Sequence, residues 1–164
     1  MRLNKIIAAI GLSLLLYNVQ AQETANISDP RLQIRLPAVN GDSISLASLK
    51  GKVVLLDFWA SWCMPCRAAN KHLAKLYAKY KPKGFEIFSV SVDEEKSAWK
   101  KAITKDRITW LQVNDAAGNM GKTILDWNVS VLPTTFLINK KGDVVAIDLE
   151  GKALDEAVAR LLQE

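Results

Sequence analysis

The sequence predicts a three-layer α/β fold, a central mixed sheet flanked by helices. An apolar run over 53–60, broken only by Asp57, suits a strand buried on both faces, and 85–92 reads as a second core strand. Amphipathic helical patterns follow each of them, so strand and helix alternate. The chain then closes on a hairpin and a last helix, a pattern of elements that packs as helices on the faces of one sheet.

The elements follow in chain order. Residues 34–46 read as a β-hairpin ahead of the sheet, because Asn40-Gly41 is a strong turn signal. A short connector over 46–51 leads into the first core strand, 53–60, whose apolar run is broken only by Asp57. A helix is expected over 63–80, with Ala69, Leu73, Leu76, Tyr77 and Tyr80 inward and Arg67, Lys71, Lys75 and Lys79 on the opposite side. Pro82 and Gly84 stop it. After the strand at 85–92, a helix over 93–105 takes Asp93 as its N-cap and turns Trp99 inward. A short strand at 109–113 and a short helix at 120–127 follow. Strands at 134–139 and 144–149 pair around Lys141-Gly142, and a helix over 153–162 closes the chain. Trp59, Trp99, Trp110 and Trp127 are expected in the core, whereas Trp62, directly before Cys63, covers the site described below.

The first twenty-one residues have the pattern of a cleaved export signal. Arg2 and Lys5 precede an uncharged run over 6–16, and Val19-Gln20-Ala21 supplies short side chains before Gln22. Eleven residues at about 1.5 Å each span roughly 17 Å, against about 30 Å of hydrocarbon, so an uncleaved membrane anchor is the weaker reading. No Cys near the junction offers a lipid attachment point. Residues 22–164 then form one domain, exported to an oxidising, periplasm-like compartment.

Composition narrows the function. The formal charge of +5 falls to +3 without Arg2 and Lys5, and the charges are interspersed, which argues against a nucleic-acid partner. Two Cys cannot staple a mini-fold, and one His with two Cys is one ligand short of a four-ligand zinc site.

The chemistry is expected at Cys63-Met64-Pro65-Cys66, where a buried strand meets an amphipathic helix. A Cys at a helix N-terminus sees free N–H groups and the helix dipole, which favour the thiolate. Cys63 is therefore the expected nucleophile. Cys66, one turn inside on the same side, is placed to resolve its mixed disulfide. Pro65 fits the first turn, where its missing N–H costs nothing. A purely structural bridge here would constrain little, about 2 kcal/mol against about 3 for a fifteen-residue loop. His72 lies nine residues after Cys63, about 180° around the helix, and reads as a solvated residue. Asp57, a carboxyl in an apolar strand, is expected to be buried with a raised pKa and to carry the proton of Cys66.

The segment Asp57-Phe58-Trp59-Ala60-Ser61-Trp62-Cys63-Met64-Pro65-Cys66-Arg67 resembles the active-site segment of the thioredoxin superfamily. Asn40-Gly41-Asp42, Ser45-Leu46 and Leu49-Lys50-Gly51-Lys52-Val53-Val54 are similar to the lead-in of its TlpA/ResA-like branch. Leu132-Pro133-Thr134-Thr135-Phe136-Leu137-Ile138, then Lys141-Gly142-Asp143 and Gly151, resemble that branch's cis-proline strand and last hairpin. The resemblance implies a thioredoxin-like fold with an N-terminal β-hairpin extension and a central insertion. It implies that Pro133 is cis and lies against the dithiol, and that the Leu132 backbone pairs with a client peptide. Trp62, Met64, Pro65, Leu132 and Pro133 are then the expected client-binding residues.

Two positions depart from that branch. Ala69 and Lys71 stand where many members carry Glu and Pro, and Asp57 matches the buried acid of thioredoxin itself. The pair Met64-Pro65 lacks the His that, by resemblance, marks strongly oxidising members. The expected activity is thus thiol–disulfide exchange with protein clients, running as a reductant, by a monomer without organic cofactor or metal. A reductant in an oxidising compartment needs recharging, so a membrane-embedded electron donor is the implied partner, and apocytochrome c thiols are the clients that analogy suggests. The alternatives are a peroxiredoxin, which would need Thr at position 60 where Ala stands, and a copper-delivery protein using Cys63, Cys66 and His72.

Overall fold

The computed structural model describes residues 29–164, so the expected export signal lies outside the described residues. Asp29 caps a 3-10 turn at Pro30–Gln33, and then β1 (Arg35–Pro37) and β2 (Ser43–Ser45) pair antiparallel around the Asn40-Gly41 turn. Gly41 has a φ of 93°, a conformation that glycine adopts without the Cβ clash. A 3-10 turn at Leu46–Leu49 leads into the main sheet.

Five strands make that sheet, in the order β5-β4-β3-β6-β7: β3 (Val53–Trp59), β4 (Phe85–Ser91), β5 (Leu111–Asn114), β6 (Thr134–Ile138) and β7 (Val144–Ile147). β3 is parallel to β4, and β4 to β5, while β6 is antiparallel to both β3 and β7. The sheet is mixed, as predicted. Every residue of β3 and β4 is buried, the polar Asp57, Glu86, Ser89 and Ser91 included, so neither strand shows a solvent-facing alternation. The β1–β2 hairpin reaches the β5 edge through an Ala38–Val113 bridge.

Helix α1 (Met64–Tyr80) follows the turn after β3 and buries Leu73, Leu76, Tyr77 and Tyr80 of the predicted stripe, while Ala69 is half-buried. Helices α2 (Lys96–Asp106), α3 (Lys122–Asp126) and α4 (Gly151–Leu161) complete the layers. Lys79 and Asp155 tie α1 to α4 at 2.8 Å. On one side of β3, Phe58, Phe136 and Trp127 pack ring against ring, the last two at 4.7 Å between centroids. On the other side β3 carries Asp57, directly opposite Ser89 in the ladder with β4. Trp59, Trp99, Trp110 and Trp127 are all buried.

Two local expectations need correction. Asp93 does not cap α2, which begins three residues later after Glu95. Its carboxylate turns inward instead and accepts from Ser61 N, Ser61 Oγ and Ser91 Oγ, at 2.6–2.8 Å. Arg67 is not on the solvated face of α1. It ion-pairs with Asp106 at the end of α2, and Asn70 Nδ2 donates to the same carboxylate at 2.9 Å. Burial pushes the Asp106 carboxyl up, but the Arg67 and Asn70 bonds outweigh it and hold the carboxyl below its usual range.

A depressed carboxyl contributes stability above its unfolded pKa and loses it as pH falls through the folded value. Asp106→Ala should therefore lower stability by about 2 kcal/mol at pH 7, discounting for partial exposure, because it leaves a half-buried guanidinium unpaired. Urea unfolding at pH 7 and pH 3 checks this. The deficit should begin to shrink towards pH 3, as the wild-type carboxyl approaches the lowered value at which it takes up its proton.

Candidate active site

Cys63 is the N-cap of α1, with backbone angles of φ −77° and ψ 100°. Its Sγ accepts the N–H of Cys66 at 3.2 Å, so one of the free amides at the helix start is already directed at this sulfur. Pro65 occupies the first turn, where no intrahelical N–H is needed. Cys63 and Cys66 form a disulfide with Cα atoms 5.3 Å apart. Cys63 is 5% exposed and Cys66 2%.

The turn that carries Cys63 is held from two sides. Asp93 grips Ser61, as described above, and Arg67 Nη1 donates to the Ser61 carbonyl at 2.9 Å. Both contacts act two residues ahead of Cys63. The apolar neighbours, by contrast, are open: Trp62 is 60% exposed and Met64 73%. They border a groove of about 620 Å³ that also contains Cys63, Pro65, Val131 and Leu132. Trp62 thus stands beside the disulfide rather than sealing it.

The Leu132–Pro133 peptide bond is cis. Thr134 Oγ1 donates to the Val131 carbonyl at 2.8 Å and closes this turn into β6. Leu132 and Pro133 also line a second groove of about 740 Å³, together with Pro65, Ala69, His72 and Asp57. His72 is exposed, as expected, but it borders this groove rather than open solvent alone.

Asp57 lies at the base of the second groove and is almost wholly buried. Burial raises its pKa to about 6, although Ser89 Oγ donates to Oδ2 at 2.7 Å and pulls in the opposite direction. Sequence reasoning singled out Asp57 but missed Ser89, and it missed Trp110, whose Nε1 donates to Ser89 Oγ at 2.8 Å. It also missed Asn70, a polar residue at a buried phase of α1, which was the available signal. Ala60 is fully buried and brings no hydroxyl to the Cys63 turn. Among the described residues, no three His, Cys, Asp or Glu side chains are grouped to hold a metal ion.

Comparison with known proteins decides the family. The AhpC/TSA family profile matches residues 27–147, most of the chain. The chain belongs to the AhpC/TSA family. Within it, this member is 31% identical to the thiol-disulfide oxidoreductase ResA of Bacillus cereus, over 95% of this chain and 88% of that protein. Among solved structures, a thiol-disulfide oxidoreductase from Bacteroides fragilis is 35% identical with a TM-score of 0.73, covering 78% of this chain and 96% of that one. The thioredoxin domain of a thiol-disulfide oxidoreductase from Bacteroides vulgatus is also 35% identical, with a TM-score of 0.74, covering 79% and 92%. This family member is therefore a thiol-disulfide oxidoreductase with a thioredoxin-like fold.

Proposed function

We propose that the protein is an exported disulfide reductase in which Cys63 attacks and Cys66 resolves. The observation that carries this reading is the position of Cys63, at the N-cap of α1, with its Sγ accepting a backbone N–H and facing the Trp62–Met64 groove. An amide donor and the helix dipole both favour a thiolate there.

The reaction runs in two exchanges. The Cys63 thiolate attacks one sulfur of a client disulfide, and the other client sulfur leaves as a thiolate. Cys66 then gives its proton to the Asp57 carboxylate, and the new thiolate attacks the Cys63 sulfur of the mixed disulfide. The second client sulfur leaves, the Cys63–Cys66 bond forms, and two electrons have passed from the dithiol to the client. Asp57, held near neutrality by burial, can take that proton and return it to solvent in the groove. Trp62, Met64, Pro65, Leu132 and Pro133 border the two grooves and supply the surface on which an extended client segment lies.

The pair Met64-Pro65, without a His between the cysteines, supports the reductive direction. Recharging then requires a membrane-embedded electron donor, and apocytochrome c-type thiols are fitting clients. The 1–21 segment supports export to the periplasm. No helix among the described residues is long and apolar enough to cross a membrane. Intact-mass measurement of protein recovered from the periplasm of an expression host tests export, with a start at Gln22 expected and retention of Met1 against it. Insulin-disulfide reduction beside metal analysis of the same sample tests the chemistry. Turnover by metal-free protein is the expected result, and activity that depends on bound copper or on a peroxide substrate would favour one of the alternatives.

A further inference from the structure

The reaction above uses Asp57 but not the groups bonded to it. Asp57 Oδ2 accepts from Ser89 Oγ at 2.7 Å, and Ser89 Oγ accepts from Trp110 Nε1 at 2.8 Å. Asp57 and Ser89 are cross-strand partners in the parallel β3–β4 ladder, so both side chains leave the sheet on one face. Ser89 has no exposed surface, and Trp110 is buried just ahead of β5. The Trp110 ring is fixed edge-on by Tyr77 of α1, 6.0 Å between centroids.

Chemistry sets the direction of this chain. An indole N–H only donates, so the Ser89 oxygen is the acceptor, and the single hydroxyl proton is left for Asp57. Donation from the indole polarises the hydroxyl and makes it a stronger donor in turn. Among the described residues, no hydrogen bond reaches Asp57 Oδ1. One carboxylate oxygen is held and the other is free.

We infer that Ser89 and Trp110 are positioning residues, a one-way hydrogen-bond relay that fixes the Asp57 carboxyl and sets how readily its Oδ1 takes the proton released by Cys66. The inference rests on the reading of Asp57 as proton carrier. In the step itself, the Cys66 thiol proton moves to Oδ1 and the Cys66 electron pair moves to the Cys63 sulfur. Ser89 and Trp110 keep their protons throughout. The other ionisable groups on elements packed around Asp57 are His72 and Tyr77 on α1, Glu86 on β4, and Asp148 and Glu150 between β7 and α4. None of them is hydrogen-bonded to Asp57, so among the described residues the Ser89 hydroxyl is the hydrogen-bond partner that acts on the carboxyl, against the larger and opposite effect of burial.

The test follows the Asp57 carboxyl carbon by 13C NMR against pH in the disulfide form of wild type, Ser89→Ala, Trp110→Phe and the double variant. Loss of one charge-assisted hydrogen bond should raise the Asp57 midpoint in Ser89→Ala by about one pH unit, a tenfold change in proton affinity. Trp110→Phe should raise it by less. The double variant should move no further than Ser89→Ala alone, because Trp110 acts only through Ser89. An unchanged midpoint in Ser89→Ala, or fully additive shifts in the double variant, overturns the relay. Should Ser89→Ala fail to fold, an unmoved midpoint in Trp110→Phe overturns it equally. Single-turnover resolution of a mixed disulfide against pH separates the underlying reading. If the rate profile stays put while the NMR midpoint moves, the proton role of Asp57 fails, and with it the relay's place in the reaction.

Discussion

Replacing Cys66 with Ser is expected to stop the reaction halfway, with the client joined to Cys63. Serine at 66 cannot form a nucleophile strong enough to displace the client, so the mixed disulfide should accumulate to about one equivalent. Cys63→Ser should form no adduct, and turnover should fall by about a thousandfold or more in both variants. Intact mass after mixing with a disulfide-containing peptide reads both results. Alkylation of the reduced wild type at pH 6–7 gives the same ordering independently. Cys63, at the helix N-cap, should react at least about tenfold faster than Cys66, which is one turn inside and less exposed. Equal rates would leave the N-cap position without chemical consequence.

Asp57→Asn should make the protein more stable and slower at once. The folded pKa of about 6 lies above the unfolded value of 3.8, so the folded state holds its proton over an interval in which the unfolded state has lost it. Stability therefore falls as pH rises from about 4 to about 6 and stays low above. A roughly hundredfold difference in proton affinity between the two states corresponds to about 3 kcal/mol. The variant, which never ionises at this position, should show an advantage of that order at pH 8 relative to its standing at pH 3. Resolution of the mixed disulfide should slow by about tenfold to a hundredfold at pH 7, since the proton of Cys66 loses its acceptor. Chemical denaturation across pH, beside single-turnover kinetics, measures both. A variant less stable at pH 8 that resolves at the wild-type rate would reduce Asp57 to a structural partner of Ser89.

The sheet was legible because its strands are buried on both faces. Residues 53–59 are apolar apart from Asp57, and 85–91 keep Phe85, Ile87, Phe88 and Val90 among three polar residues that the fold also buries. Asp57 stood out for the same reason, as the polar break in such a run. Cys63 was legible as a helix start because a strand end, a Pro in the first turn and an amphipathic stripe meet there. What stayed hidden were pairings between residues far apart in the chain. Asp93 precedes a helical pattern and looks like its cap, yet Ser61, 32 residues earlier, takes its carboxylate. Arg67 lies in phase with three exposed lysines, yet Asp106, 39 residues later, draws it under the Cys63 turn. Local periodicity records which side of a helix faces the core. It does not record which buried charge waits there.

These hidden contacts bear on function, because Asp93, Arg67 and Asp106 brace the turn from which Cys63 projects, and Ser89 and Trp110 brace Asp57. Asp57 sits within β3, and Cys63 follows at the N-cap of α1 after the short turn that Asp93 and Arg67 hold at Ser61. The open groups beside the disulfide include the apolar Trp62, Met64 and Val131, with Asn119 and Ser130 on the same groove.

The reduction potential of the Cys63–Cys66 couple tests the reductive assignment most directly. Equilibration with glutathione at defined ratios, quenched by acid and resolved by mass, gives the potential. A thiol reductant should lie below about −220 mV, close to thioredoxin at about −270 mV. A value near −120 mV, that of a strong oxidant, would mean that the pair passes disulfides to its clients, and would contradict the direction proposed for this protein.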